Sequence, residues 1–357
     1  MKTILKRAAI VAGGCLALLL VIGAVWEQVA RRQVASAYPA PGRLVDVGGR
    51  RMQIECGGTG SPTVIFETGL DYFGSLSWAK VYGPVTEFTH TCAYSRAGIV
   101  WSDDKPGPHD GLGVAHDLHA TLTAAGENGP FVMVGLSLGG PYISLYTGLY
   151  GDQVAGLVYV DASHPDQLKR FEAVLGQTQD MKSAVQAAGK WVSWTGIPRL
   201  VAFTARNGKG ETMSKIPPKA RETALAFFAI SLGPMVSERD ALPTTLDEAR
   251  AYRNLGARPV VVLTHGKPTP DMPEAEAQKF DQTWLEMQKD MATWSTRGTQ
   301  RTISDASHYI PNDAPDAVIA AIREVVDDVR SANFYLIDPI LRPDRAAERL
   351  SRPDSHD

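Results

Sequence analysis

The 357-residue chain holds only three cysteines, Cys15, Cys56 and Cys92. That number excludes a disulfide-built scaffold and a structural zinc site with four thiolates. An excess of charge of either sign is also missing. Thirty-six Lys and Arg stand against 39 Asp and Glu, a net charge of −3, and the pI is near 6.3. Such a balance offers no electrostatic footprint for nucleic acid, and no nucleic-acid partner is expected. The 33 Gly and 23 Pro are spread along the chain, which excludes collagen-like and low-complexity classes. There is no P-loop, no H-E-x-x-H and no G-x-G-x-x-G opening a helix after a strand, so neither a cofactor nor a metal is expected. An apolar content of 44% is ample for a core and excludes bulk disorder.

What is present begins with a run free of charge, AAIVAGGCLALLLVIGAVW, at residues 8–26. As a helix it is about 28 Å long, enough to cross a hydrocarbon layer roughly 30 Å thick. Lys2, Lys6 and Arg7 precede it. The run exceeds the apolar stretch of about 7–15 residues usual in a cleaved signal peptide. The A-x-A-like Ala35-Ser36-Ala37 lies well beyond it, past Arg31 and Arg32. We read residues 8–26 as an uncleaved single-pass anchor with the N-terminus inside and the body on the extracytoplasmic side; secretion after cleavage is the alternative. Cys15 is read as an ordinary membrane residue.

Beyond a Pro-containing linker, residues 38–42, apolar runs bounded by Gly and Pro read as strands. GRLVDV-GG-RRMQIEC predicts a hairpin. PTVIFETG, HTCAYS, PFVMVG, GLVYVD and RPVVVLTHG predict further strands, and Gln300–Ile303 a last short one. Val114, Leu118, Leu122 and Ala125 recur at helical spacing, as do Val318, Ile322, Val325 and Val329 behind Pro315. Strands alternating with helices, and strands apolar on both faces, predict an α/β fold with a mainly parallel sheet. Nearly 100 residues separate Asp161 from Pro259 without a convincing strand, too long for a loop, and predict a helical insertion. The expected division is anchor and linker 1–37, core 38–164, helical cap 165–257, core 258–330 and a C-terminal tail 331–357.

Gly135-Leu136-Ser137-Leu138-Gly139-Gly140 follows a predicted strand and precedes a predicted helix. In that context G-x-S-x-G is a nucleophile elbow. The serine occupies a strained turn, and small neighbours let strand and helix close on each other. The Leu138 N–H at the helix start is placed to face a developing oxyanion.

With these residues in view, the chain resembles the α/β-hydrolase-1 type of the α/β-hydrolase fold, a broad family of esterases, lipases and related enzymes. PTVIFETGL, HTCAYSRAG, VGLSLGG, GLVYVDASHPDQ and SHYI occur in the family's order over roughly residues 40–330. The resemblance implies Ser137 as nucleophile, His308 in SDASHYIP as general base, and the Leu70 N–H as second oxyanion donor. It also implies an acid between them in chain order. Asp161, at a strand end, is favoured; Asp271 follows the strand that more often supplies the acid, but stands in a Pro-flanked loop. His164 follows Asp161 closely and is expected near the pocket; His265, at a strand end, is a weaker rival for the base. The chain departs from the family at Leu136, often His, at Ser95, often Asp, and at Thr68-Gly69, often His-Gly. The family's topology sets the second and fourth strands side by side, which makes a Cys56–Cys92 disulfide feasible.

The insertion's Phe171, Trp191, Trp194, Phe203, Phe227, Phe228, Met213 and Met235 are read mainly as packing, with an apolar lid as the sharper alternative. The expected activity is hydrolysis of a small-molecule acyl ester through an acyl-enzyme. A peptidase, lactonase or acyltransferase on the same residues, and a non-catalytic binding module, are the alternatives. The sequence leaves oligomeric state open.

Overall fold

Apolar runs with no polar alternation become the centre of an eight-stranded sheet. The computed structural model describes residues 2–176, 192–205, 214–270 and 272–341. The strands are β1 (Arg43–Asp46), β2 (Arg51–Gly57), β3 (Thr63–Glu67), β4 (Thr91–Tyr94), β5 (Phe131–Leu136), β6 (Val154–Val160), β7 (Gly256–His265) and β8 (Ser295–Ile303). Their spatial order is β1-β2-β4-β3-β5-β6-β7-β8. Only β1–β2 and β2–β4 pair antiparallel; the rest is parallel. Every residue of β5 is buried, as a strand covered on both faces requires.

The two-residue period of a strand sorts its side chains into two cores. Ile65, Met133, Leu157, Tyr159, Val260 and Val262 share one face. Val64, Phe66, Val132, Val134, Val158, Val160, Val261 and Leu263 share the other.

Helices complete both layers. They are α1 (Lys2–Ala37), α2 (Tyr82–Thr86), α3 (Gly111–Ala125), α4 (Gly139–Leu149), α5 (Gln167–Leu175), α6 (Ile197–Ala205), α7 (Pro218–Asp240), α8 (Leu242–Ala249), α9 (Glu274–Ala292), α10 (Ile310–Asp313) and α11 (Pro315–Leu341). The predicted stripe on α3 is bounded by its own chemistry. Asp110 accepts from the Gly113 N–H at 2.9 Å at the start, and Gly126, at φ 79°, ends the helix. The stripe on α11 lies in the second core. Between β6 and β7 the described residues form α5 to α8 and no strand.

Two boundaries differ from the sequence reading. β8 starts at Ser295 rather than Gln300, because an edge strand with mostly exposed residues carries no apolar signature. The backbone of α11 continues to Leu341, past position 331, through Pro339, a residue that in sequence reads as a helix breaker.

Two covalent or charged links join the parts. Cys56 and Cys92 are direct partners in the β2–β4 register and form a disulfide. Arg96, only 2% exposed, pairs with Glu67 of β3 at 2.7 Å and with Glu238 of α7 at 2.7 Å. Tyr94 donates to the other oxygen of Glu67. The helical insertion is thereby bound to the sheet by a buried charge.

Protein isolated without reductant, unfolded and titrated for thiols, is expected to show one reactive thiol, Cys15, and three after reduction. Arg96→Met strands two buried carboxylates and is expected to cost about 3–5 kcal/mol in chemical denaturation. Arg301→Met, which removes an exposed bridge to Glu324, is expected to cost at most about 1 kcal/mol.

Candidate functional site

The carboxyl ends of the parallel strands carry the site. β5 stops at Leu136 and α4 starts at Gly139. Ser137 between them has φ 51°, the left-handed region that a side chain adopts only under constraint. Steric need explains the flanking glycines. A Cβ on Gly135 would lie 2.6 Å from the Gly139 carbonyl, and one on Gly140 would lie 2.5 Å from the Ala162 Cβ. The turn is held by Ser137 N–H to Val160 O at 3.1 Å. Its carbonyl accepts from Gly140 at 3.0 Å and from Ser163 at 2.8 Å.

A continuous hydrogen-bond chain leads away from the serine. Ser137 Oγ lies 3.0 Å from His308 Nε2. His308 Nδ1 lies 2.6 Å from Asp161 Oδ2. With the carboxylate ionised, Nδ1 carries the proton and Nε2 accepts from the serine hydroxyl. His308 sits in the loop between β8 and α10 and is partly exposed, whereas Asp161, at the end of β6, is fully buried. Asp161 also has a positive φ, 45°, which turns its side chain into the site. The remaining acceptor positions of Asp161 are filled. Oδ1 accepts from His265 N–H at 3.0 Å and from Trp284 Nε1 at 2.9 Å; Oδ2 also accepts from His265 Nδ1 at 2.7 Å. Burial alone would push this carboxyl up. The hydrogen bonds and charges of His265 and His308 outweigh it and hold the group well below the usual carboxylate range.

The loop after β3 crosses the serine. A Cβ on Gly69 would stand 2.9 Å from the Ser137 Cβ. Arg96 fixes that loop by donating to the Thr68 carbonyl at 2.8 Å and the Gly69 carbonyl at 2.6 Å. Asp71 fixes it from the other side, accepting from Thr68 Oγ1 at 2.7 Å and Phe73 N–H at 2.8 Å. Leu70 and Leu138 both border the cavity beside Ser137. Among the described residues, neither amide N–H has an acceptor within the protein.

That cavity measures about 420 Å³. Leu168 and Phe171 of α5, Leu242 of α8, and Phe280 and Trp284 of α9 supply apolar walls, and Ser137 and His308 the polar floor. Phe171 stacks on Phe280 at 4.2 Å, so one insertion aromatic borders the cavity while Phe227 packs elsewhere, against Trp101. Trp191, Met213 and the alternative acid Asp271 lie outside the described residues, as does the side chain of Phe203.

His164 is separate from this chain. Its Nε2 is 2.8 Å from Asp290 and its Nδ1 accepts from the Asp166 N–H at 3.0 Å. Burial pushes its pKa down to about 4 despite Asp290, so it is a neutral structural group. Asp161, His265 and His308, and likewise Cys56, His90, Cys92 and Glu127, offer ligand atoms within 4.8 Å of one another. The first set already spends those atoms on hydrogen bonds, and the second has both cysteines in the disulfide.

Sequence reasoning singled out Ser137, His308, Asp161, Leu70 and Leu138, which the structure gathers in one place. It missed the positioning groups Arg96, Glu238, Trp284 and Asp71, and placed His265 only as a rival base. A Glu at the end of the apolar run TVIFE was the available hint of a buried cation nearby.

The sequence model of the alpha/beta hydrolase family matches residues 58–321. An uncharacterised Schizosaccharomyces pombe protein is 23% identical over 274 residues, covering 73% of this chain but 46% of that protein. An uncharacterised vacuolar membrane protein of Saccharomyces cerevisiae is 32% identical over 110 residues, 30% of this chain and 17% of its own length. The chain thus spans less than half of either relative. Among solved structures, a thermophilic esterase from Thermogutta terrifontis superimposes with TM-score 0.54 at 21% identity, covering 80% of this chain and 97% of its own. The epoxide hydrolase CorEH does so with TM-score 0.57 at 16% identity, covering 80% and 98%. At such identities the superpositions speak to fold alone. The match over residues 58–321 establishes that the chain belongs to the alpha/beta hydrolase family.

Proposed function

We propose that this chain is a membrane-anchored serine hydrolase that cleaves small acyl esters through a Ser137–His308–Asp161 triad. The observation that carries the reading is the unbroken hydrogen-bond chain from Asp161 through His308 to Ser137 on the floor of an apolar cavity. Ser137 Oγ attacks the ester carbonyl while His308 Nε2 takes its proton. The oxyanion is held by the Leu70 and Leu138 amides, in a setting where each donor is worth about 2.7–4 kcal/mol. His308 then protonates the departing alcohol. Water, deprotonated by the same nitrogen, releases the acid and restores Ser137. The apolar walls suit an acyl or alkyl chain. Residues 8–26 serve as the anchor, with the body extracytoplasmic.

His265 has a positioning role. It grips Asp161 through both its backbone N–H and Nδ1, and its Nε2 lies 3.7 Å from Asp281. It occupies the end of β7, the place from which the acid more often comes in the family, and there it serves the acid from β6 instead. Burial alone would lower its pKa, but Asp161 and then Asp281 raise it above its ordinary value.

The full chain in detergent is expected to label rapidly with a fluorophosphonate and to hydrolyse simple aryl esters. Ser137→Ala and His308→Ala should each abolish labelling and lower kcat by about four to six orders of magnitude. Asp161→Asn should lower kcat by about four. A folded wild type that neither labels nor turns over any ester in a chain-length panel overturns the reading.

A raised folded-state pKa means that protonated His265 stabilises the fold fully below the unfolded value of about 6.5. That contribution is lost as pH rises through the higher folded value. The Tm advantage of wild type over His265→Gln should therefore be largest below about pH 6.5 and narrow as the pH rises above it. A pH-independent difference would reduce His265 to a neutral donor.

A further inference from the structure

Among the described residues, large exposed apolar side chains outside α1 are few and gather where α1 meets the cap. Seven large ones are exposed among the described residues beyond Ala37: Leu44, Val174, Trp194, Ile197, Leu200, Val201 and Tyr309. Four of the seven fall in residues 194–201. Ile197, Leu200 and Val201 stand at i, i+3 and i+4, one face of α6, and are 50%, 56% and 55% exposed. A soluble surface normally scatters such groups.

The same segment is in contact with the last apolar turn of α1. A Cβ on Gly23 would lie 2.2 Å from the Thr195 carbonyl, and one on Gly196 would lie 2.7 Å from the Trp26 ring. One turn further along α1, Glu27 is completely buried. Arg199 of α6 grips it with Nε at 2.7 Å and Nη2 at 3.0 Å, and Arg31 adds a bond at 2.9 Å. Arg31 also donates to the Ser193 and Ala229 carbonyls at 3.2 and 3.1 Å. A buried carboxylate held by two guanidinium groups fixes the depth of α6 relative to α1. If residues 8–26 cross the bilayer, Gly23 to Trp26 mark its boundary, and α6 begins at that boundary. Trp26 and Trp194, 47% and 44% exposed, then take the interfacial depth that Trp favours.

We propose that Trp194 and the Ile197–Leu200–Val201 face of α6 form a second membrane contact, seating the cap in the lipid interface of the leaflet from which α1 emerges. The occupant of this face is lipid, because the surface is continuous with the anchor and level with its end. An amphipathic helix binds an interface in this way, with its apolar face in the headgroup–acyl boundary and Arg at the headgroups. The inference rests on the anchor part of the reading above and not on the triad.

The test uses the full chain, unreduced, in a Cys15→Ser background, in vesicles of phosphatidylcholine with one-fifth phosphatidylglycerol. An environment-sensitive thiol dye is attached in turn through Leu200→Cys, Val21→Cys and Leu44→Cys. Lipids with a shallow nitroxide and aqueous iodide serve as quenchers. The expected result is strong nitroxide quenching and little iodide quenching at position 200, as at position 21, with the reverse at position 44. Iodide quenching at position 200 equal to that at 44, with 21 in lipid, overturns the cap contact and leaves the anchor standing. Shielding from both quenchers at 200 assigns the face to protein, such as a second copy, and also overturns it. Iodide access at position 21 overturns the anchor and the cap contact together, while fluorophosphonate labelling of the same samples reports separately on the triad.

Discussion

A carboxylate without solvent exposure stands at the end of β6, and the geometry around Ser137 depends on satisfying it. An isolated buried carboxylate is costly, so every lone-pair direction must find a donor. Asp161 finds four, from the end of β7, from α9 and from the loop before α10. Each donor brings its segment with it. His265 sets the end of β7, Trp284 turns α9 so that its aromatic face borders the cavity, and His308 is held with Nε2 toward Ser137. The positive φ of Asp161 and that of Ser137 are local distortions tolerated because this network and the packed strand–helix turn over-determine them.

The same physics recurs at two other buried charges. Arg96 satisfies Glu67 and Glu238 and, with its remaining donors, the carbonyls of the loop over Ser137. Glu27 satisfies Arg31 and Arg199 where α1 meets the cap. Such buried pairs add little net stability compared with apolar replacements, but they are expensive to break. Their effect here is geometric: they tie helix to cap, cap to sheet, and sheet to the loop that carries the Leu70 amide. The hydrophobic clusters supply cohesion, and the charges set register between parts that pack without strong shape preference.

The central sheet was legible from residues alone. PTVIF, PFVMV and GLVYV are apolar on both faces because both are covered, and this leaves a run without alternation. The elbow was legible because G-x-S-x-G places small residues where backbones approach within a carbon's width. β8 was not, since an edge strand of Arg, Thr and Gln has no apolar pattern. Nor was the full extent of α11, whose backbone runs on through Pro339, a residue that reads locally as a helix end. Arg96, Glu238, Trp284 and Asp281 were invisible as site-supporting groups. Their sequence distances from Ser137 or Asp161 carry no information about contact, and each reads locally as an ordinary surface or helix residue.

The sequence by itself determined the layer architecture, the position of the strained serine, the anchor-like apolar run and a short set of acid and base candidates. Periodicity, small-residue spacing and the absence of charge are properties of adjacent residues and survive in one dimension. Only the tertiary structure decided which groups meet: that His308 and His265 share the Asp161 carboxylate, that Arg96 spans sheet and cap, and that α6 lies level with the end of α1. Those facts depend on burial. A charge is indifferent to its neighbours in water, but inside the protein it must be matched, and folding alone brings the matching residues together.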